Sequence, residues 1–192
     1  MKTNRKYELT DEILEVGGHV LHRIKALRDF GDVRKGDIGG WIENEDNLSH
    51  DDDCWVCGEA IIRDNAIIRD NATVRDKATV RDNATVCRKA TVCGEAIIRD
   101  KATVCGEATV RGEATVRGDV EVENKSDYIV FKNWWSSGRY FTWTRSNDMW
   151  AVGCFYGTGE ELIKKAYNDS DESGREYERI VKYVESIKSE IK

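Results

Sequence analysis

The chain contains no proline in 192 residues. Every backbone N–H is therefore available as a donor, which suits a fold that commits nearly all its backbone groups to sheet ladders. Long apolar runs are missing as well. Nothing approaches the ~20 residues of a membrane span, and the N-terminus lacks the apolar core of a signal peptide, so a cytoplasmic protein with no membrane partner is expected. Basic excess is absent: the formal net charge is −6, with the acidic surplus in the first 53 residues. That distribution excludes the electrostatic footprint of a duplex-DNA binder. Histidine is scarce, and His19, His22 and His50 all precede the regular part of the chain. A glycine-rich phosphate loop, a nucleophile–histidine pair and a cluster of metal ligands are also missing. Cys54-x-x-Cys57 has no second such pair. No catalytic residue, metal or cofactor is assigned. The cysteines (Cys54, Cys57, Cys87, Cys93, Cys105 and Cys154) are expected as free thiols, small half-apolar strand residues in a reducing compartment.

What is present is a repeat. From Cys54 the chain falls into twelve gapless hexads, with starts at Ala60, Ala66 and so on to Val120. The unit reads Ala-Thr/Ile-Val/Ile-Arg/Cys-Asp/Gly-Asn/Lys/Glu. Alanine and the aliphatic residue two places later point one way on a strand, and the residue between them points the other way. The polar pair that follows, such as Asp64-Asn65 or Gly58-Glu59, supplies a corner. Asn and Gly tolerate positive φ there, and Asp bonds neighbouring backbone. Three strands and three corners close a triangle of 18 residues, and copies stack about 4.8 Å apart. The aliphatic positions Ile62, Ile68, Val74, Val80 and Val86, with the small positions Ala66, Ala72, Ala78, Ala84 and Ala90, resemble the hexapeptide repeat of left-handed β-helix proteins. The resemblance implies a left-handed parallel β-helix of about four coils over residues 48–125. It departs from the family in carrying Arg or Cys directly after the aliphatic residue, where glycine is frequent.

Stacking at that period writes columns. Arg63, Arg81, Arg99 and Arg117 form one, readable as an anion-binding ridge or as solvated charge offset by Asp64, Asp82 and Asp100; the second is the commoner outcome for surface arginines. Cys87 lies beneath Cys105 in a column with Arg69 and Glu123. Threonines and Ile61, Ile67 and Ile97 face outward. Large outward isoleucines, with the habit of related β-helices, suggest a homo-oligomer, trimer ahead of dimer.

Residues 1–47 do not repeat and are expected to form a β cap over the open strand edges at the start of the coils. Val16-Gly17-Gly18-His19 reads as a hairpin turn between Ile13–Val16 and Val20–Leu27. The acidic residues Glu43, Glu45, Asp46, Asp51, Asp52 and Asp53 read as a solvated loop. The run Asp29-Phe30-Gly31-Asp32-Val33, Gly36, Gly39-Gly40-Trp41, Asn47-Leu48-Ser49 and Asp53-Cys54-Trp55 resembles the leading segment of YdcK-type β-helix proteins of enteric bacteria and phages. The resemblance implies a transferase, a label that rests on repeat analogy, and an acyltransferase of this kind would use a histidine base.

Residues 126–192 change character and are expected as a small α+β domain. Tyr128–Trp135 reads as a strand, and Arg139–Arg145 with Met149–Tyr156 as a hairpin. If positions 143 and 152 pair, Phe141, Trp143, Arg145, Trp150, Val152 and Cys154 share a face. Thr158-Gly159-Glu160-Glu161 is a capping box for a helix through about Tyr167. A second helix from Asp171 carries Tyr177, Ile180, Val181, Val184, Ile187 and Ile191 at helical spacing. The expected ligand-binding group is Trp134, Trp135, Arg139, Tyr140 and Arg145, in which flat rings beside arginine suit a base or nucleotide. With no base–nucleophile pair in view, the preferred function is a non-catalytic binding protein, and the resemblance to β-helix proteins of bacteria and phages implies one of the phage or prophage type. Its partner would be a host protein or a nucleotide-like small molecule, and counter-defence in the host cytoplasm a fitting role. Hexapeptide-repeat acyl transfer is the alternative.

Overall fold

A computed structural model describes residues 5–190. Within each hexad the alanine and the aliphatic residue are fully enclosed, as Ala78 and Val80 are, whereas the intervening Thr79 faces outward and is partly exposed. β-Branched residues fit that pleat, and alanine is small enough for the narrow interior. Twelve two-residue strands result, from β4 (Trp55–Val56) to β15 (Glu121–Val122), stacked in parallel in three sheets. The register is the eighteen-residue one. Ile62, Val80, Ile98 and Val116 form one column, and Trp55, Thr73, Thr91 and Thr109 another. The chain is mainly β, as expected.

The coils number about five rather than four. The additional turn comes from the segment expected as cap. β3 (Ile38–Ile42) pairs in parallel with the first regular coil, Trp41 on Ile61 and Ile42 on Ile62, and Leu48 bridges Ile68. These partners lie twenty residues apart, so the turn falls outside the hexad rhythm and escapes a search for it. Ile42 and Leu48 are six residues apart, like their partners Ile62 and Ile68, so the 3₁₀ turn at Glu45–Asn47, capped by Asn44, keeps the spacing. The two additional residues lie in the loop over 49–54, since Leu48 and Val56 are eight apart and their partners Ile68 and Val74 six. The remaining cap is a hairpin, β1 (Tyr7–Val16) and β2 (His19–Ala26), turning on Gly17 and Gly18, both at positive φ, and extending the sheet that contains β3.

The corners hold a device that the sequence only half reveals. The left-handed residue is the first of each polar pair, Asp or Gly, not the Asn that follows. Each corner aspartate sends its carboxylate along the axis to the next coil. Asp64 accepts from the N–H of Asp82 at 3.1 Å, Asp82 from Asp100 at 3.2 Å and Asp100 from Gly118 at 3.1 Å, while Asp70 and Asp76 accept from Arg88 and Gly94 at 2.9 Å. Arg88 takes the same left-handed conformation, φ 57°, with neither glycine's freedom nor a short acceptor.

The C-terminal domain is a four-stranded antiparallel meander, β16 (Tyr128–Lys132), β17 (Tyr140–Thr144), β18 (Met149–Val152) and β19 (Phe155–Gly157), followed by α1 (Gly159–Asp169) and α2 (Asp171–Ile187). Thr158 caps α1 in a capping box with Glu161. Trp143 pairs with Trp150 and Phe141 with Val152, a register two residues from the expected one. The cause is the turn over 145–148, where Thr144 pairs with Met149, Asp148 takes φ 54° and its N–H donates to the Arg145 carbonyl. A second tight turn at Gly153-Cys154 splits Met149–Tyr156 into two strands and leaves Cys154 exposed at its tip rather than on a sheet face. Because the shift is even, Phe141, Trp143 and Trp150 still share a face. Both helices pack there through Leu162, Ala166, Tyr177, Val181 and Val184. Ile191 lies outside the described residues. The opposite face closes the β-helix: Val130 and Tyr128 pack on the coil interior, and Thr142 Oγ1 accepts from the N–H of Thr115 at 2.9 Å. Among the described residues, no helix is long and apolar enough to cross a membrane.

Candidate functional site

Three arginines of the column are held in ion pairs. Arg63 meets Asp64 at 2.7 Å, Arg81 meets Asp82 at 3.0 Å and Arg117 meets Asp100 at 3.2 Å. Tyr156 lies under Arg117 with its ring centre 4.8 Å from the guanidinium carbon. Burial, and then the neighbouring Arg117, draw Arg99 below the ordinary guanidinium range. The same aspartates also tie coil to coil, so the four arginines flank a ladder of three carboxylates, with Arg63, Arg81 and Arg117 in ion pairs.

The histidines sit at the other end of that column. His19 Nδ1 is 3.0 Å from Glu43, and its Nε2 is 3.1 Å from Arg63 Nη1 and 3.6 Å from Asp64. Glu43 also accepts from the N–H of Asp64 at 2.6 Å. His19 first, then this backbone bond, hold the Glu43 carboxyl below the usual range against the opposing effect of burial. Glu43 is therefore part of a network rather than of a solvated acidic loop, and Glu45 likewise pairs with Arg5 at 3.0 Å. His19, Glu43 and Asp64 lie close enough to share an ion. However, the Arg63 guanidinium already lies against His19 Nε2 and would compete with any cation. His50 is stacked on Tyr7 at 4.3 Å, takes the Lys6 N–H on Nδ1, and has its Nε2 buried without a partner. Burial draws its pKa down. Neither nitrogen of His50 is presented to a substrate. His22 Nδ1 meets the Thr10 carbonyl at 3.2 Å.

The five aromatic and arginine residues expected as a ligand site are spread over three places. β16 ends at Lys132, so Trp134 and Trp135 lie in the 133–139 loop and not on a strand. Trp135 packs edge-on against Tyr177 and Phe141 in the domain core, its Nε1 buried without a partner. Trp134 is 70 % exposed, and Arg139 is exposed in the same loop. Tyr140 starts β17 on the face turned to the coils, with Lys132 Nζ over its ring at 5.5 Å. Arg145 follows the far end of that strand, 3.9 Å from Asp127.

Tyr140 does join another group. A groove of about 1160 Å³ runs between the last coils and the C-terminal sheet, lined by Thr109, Arg111, Lys125, Tyr128 and Tyr140 among others. Tyr128 donates its hydroxyl to the Thr109 carbonyl at 2.9 Å, which fixes its ring across the coil. Burial raises the Tyr128 phenol above its usual range, and the nearby Arg111 works in the opposite direction. Arg111 and Lys125 are exposed. Glu107 and Glu113 stand in the groove wall, Glu107 held by Lys89 at 3.5 Å. Arg111 and Lys125 were not singled out from sequence, because they become neighbours of the aromatics only when the sheet folds back on the coils.

One thiol has an unusual setting. Cys105 Sγ is 3.4 Å from Glu123 and 3.6 Å from Glu121. Burial and then Glu123 push that thiol up to about 12. All six cysteines are free.

No family model matches the chain. An uncharacterized acetyltransferase, YdcK of Escherichia coli (strain K12), is 36 % identical over 66 residues, a match that covers 30 % of this chain and 20 % of that protein. The chain thus matches about a fifth of the length of this curated relative. That likeness and the regular eighteen-residue stacking fit a hexapeptide-repeat β-helix.

Proposed function

We propose that the protein is a non-catalytic binder of a small anionic aromatic molecule of nucleotide type, held in the groove between the last coils and the C-terminal sheet. The observation that carries this reading is the groove itself, where the Tyr128 and Tyr140 rings stand with the exposed cations of Arg111 and Lys125. A ring stacked on a base contributes ~1–3 kcal/mol, and arginine recognises phosphate with two parallel donors. The β-helix serves as a rigid spacer, and assembly of several chains through outward residues such as Ile67, 43 % exposed, would multiply the sites. Sequestering a host nucleotide signal is the counter-defence role that suits a phage-type protein of this build. Calorimetric titration with a panel of linear and cyclic nucleotides tests the reading. Binding should weaken more than about tenfold, ~1.4 kcal/mol, in Tyr140→Ala and in Arg111→Ala, and remain unchanged in His19→Ala. A panel in which no member binds, or in which both groove variants bind as before, removes it.

A second reading, acyl transfer, is favoured by one relationship and one contact: the likeness to the uncharacterized Escherichia coli acetyltransferase, and the His19–Glu43 pair at 3.0 Å. A carboxylate on Nδ1 leaves Nε2 as the basic nitrogen, and Arg63 would have to leave it. Turnover of an acetyl donor that His19→Ala abolishes and Arg111→Ala spares would establish this reading in place of the first.

A further inference from the structure

Lys6 is a charged side chain with no exposure at all, and Cys54 at the start of the regular coils is equally enclosed. Lys6 Nζ lies 2.8 Å from the Cys54 carbonyl, 3.2 Å from that of Asp51 and 3.4 Å from that of Asp52. It lies 3.2 Å from Cys54 Sγ, with the Phe30 ring centre 5.1 Å away on another side. The carbonyls fix the nitrogen, so its approach to sulfur is set by the backbone and not by a mobile chain end. Sγ is also held in place, 3.5 Å from the Ser49 carbonyl and 3.7 Å from that of Ile68. The two atoms are in direct hydrogen-bond contact, so a single bridging atom would need them to close by only about half an ångström.

We propose that Lys6 and Cys54 form an oxidative modification site, in which peroxide links Nζ to Sγ through a single bridging oxygen and locks the N-terminal strand onto the first coils. The reaction balances as a four-electron oxidation using two molecules of peroxide. The thiolate attacks one peroxide oxygen; the O–O bond breaks and leaves a sulfenic acid and water, sulfur having lost two electrons. The neutral amine does the same with the second peroxide and becomes a hydroxylamine, releasing water. The hydroxylamine oxygen then attacks the sulfenic sulfur, forming the S–O bond, and the sulfenic hydroxyl departs as a third water. The product has gained one oxygen and lost two hydrogens. Excess dithiol returns both side chains and one water. Burial draws Lys6 toward its neutral form and raises the Cys54 thiol, which Lys6 itself opposes, so formation of the thiolate is the slow step. The link joins positions forty-eight residues apart, so it closes a long loop and constrains the unfolded chain.

The full chain, incubated with hydrogen peroxide and digested without reductant, provides the test. The expected result is a Lys6 peptide joined to a Cys54 peptide at a mass of one oxygen gained and two hydrogens lost, released by dithiothreitol. The joined species should vanish in Lys6→Arg, which keeps the donors of the carbonyl cage, and in Cys54→Ser. Cys54 recovered as sulfinic acid with Lys6 free overturns the proposal. So does a joined species lacking the oxygen, and so does unmodified Cys54 under peroxide that fully oxidises the exposed Cys154.

Discussion

The two halves of the molecule solve the same problem with opposite materials. The coils enclose small and medium side chains, nearly all of them Ala, Val and Ile, and repeat one backbone ladder from turn to turn. The C-terminal domain encloses Phe141, Trp143, Trp150 and Tyr177, whose rings meet at 5–6 Å in single, unrepeated contacts. In a repeat, each coil depends on its neighbours and the energy is spread along the axis. In the small domain a few large side chains hold most of it. Damage should therefore be local and modest in the first and concentrated in the second.

The largest effect is expected at Trp150, 1 % exposed beneath both helices. Trp150→Ala should cost about 3–5 kcal/mol and unfold the C-terminal sheet and helices as a unit. Near-ultraviolet circular dichroism should lose its aromatic signal at a lower temperature. Hydrogen exchange should still protect the middle coils, where the Thr79 and Ile97 amides donate to the carbonyls of Ala96 and Ala114. Loss of protection throughout the coils in the same transition would show that the two halves are one cooperative unit.

Corners give the contrasting result. Asp82→Gly removes the carboxylate that accepts from Asp100 and meets Arg81 and should cost ~1 kcal/mol. Asp82→Ala should cost ~1–2 kcal/mol more, because alanine must hold the left-handed conformation unaided. The exception, Arg88, should gain ~1 kcal/mol when changed to glycine, since nothing about its side chain favours φ 57°. Denaturant midpoints of the three variants check the order, and an Asp82→Gly as damaging as Asp82→Ala would place the effect in the carboxylate alone.

That difference in materials also decided how much was legible beforehand. Hexads state their own fold, because every unit repeats the same inward and outward assignment and an error in one is corrected by the others. The eighteen-residue register of Ile62, Val80, Ile98 and Val116 followed directly. Trp41 and Ile42 were missed as part of the helix because a single irregular turn has no period. In the C-terminal domain the faces were legible and the register was not: alternation fixes parity, whereas pairing depends on where the hairpin turns, at 145–148, and the Gly153-Cys154 turn looked like strand. The groove was least legible, since Arg111 and Tyr140 belong to different domains and meet only through tertiary folding.

A smaller effect tests the N-terminal network against the repeat. Glu43 has a carboxyl pKa held below its ordinary 4.5, chiefly by His19. Its contribution to stability is complete above that ordinary value and is lost as pH falls through the lower folded value. Hydrogen exchange on acidification should loosen β2 and the Asp64 corner through that range before the middle coils respond. Glu43→Gln should remove this step and leave the later one. A wild-type protein whose hairpin and middle coils loosen together would contradict the assignment.

The smallest effect is one of reactivity and needs no change in the fold. Cys154 is exposed at a turn, whereas Cys105 is 3 % exposed between two carboxylates, with its thiol pushed up to about 12. The thiolate is the form that reacts, so at about pH 8 roughly one Cys105 in 10⁴ is competent even before access is considered. Iodoacetamide at that pH should modify Cys154 within the time that leaves Cys105 untouched, as peptide mass mapping will report. Glu123→Gln removes one of the two charges that oppose ionisation and should speed labelling of Cys105 without altering the rate at Cys154. Equal labelling of the two cysteines in the native protein would mean that the last coil opens on the labelling timescale, and the stacked column would then be the less rigid half of the molecule at its C-terminal end.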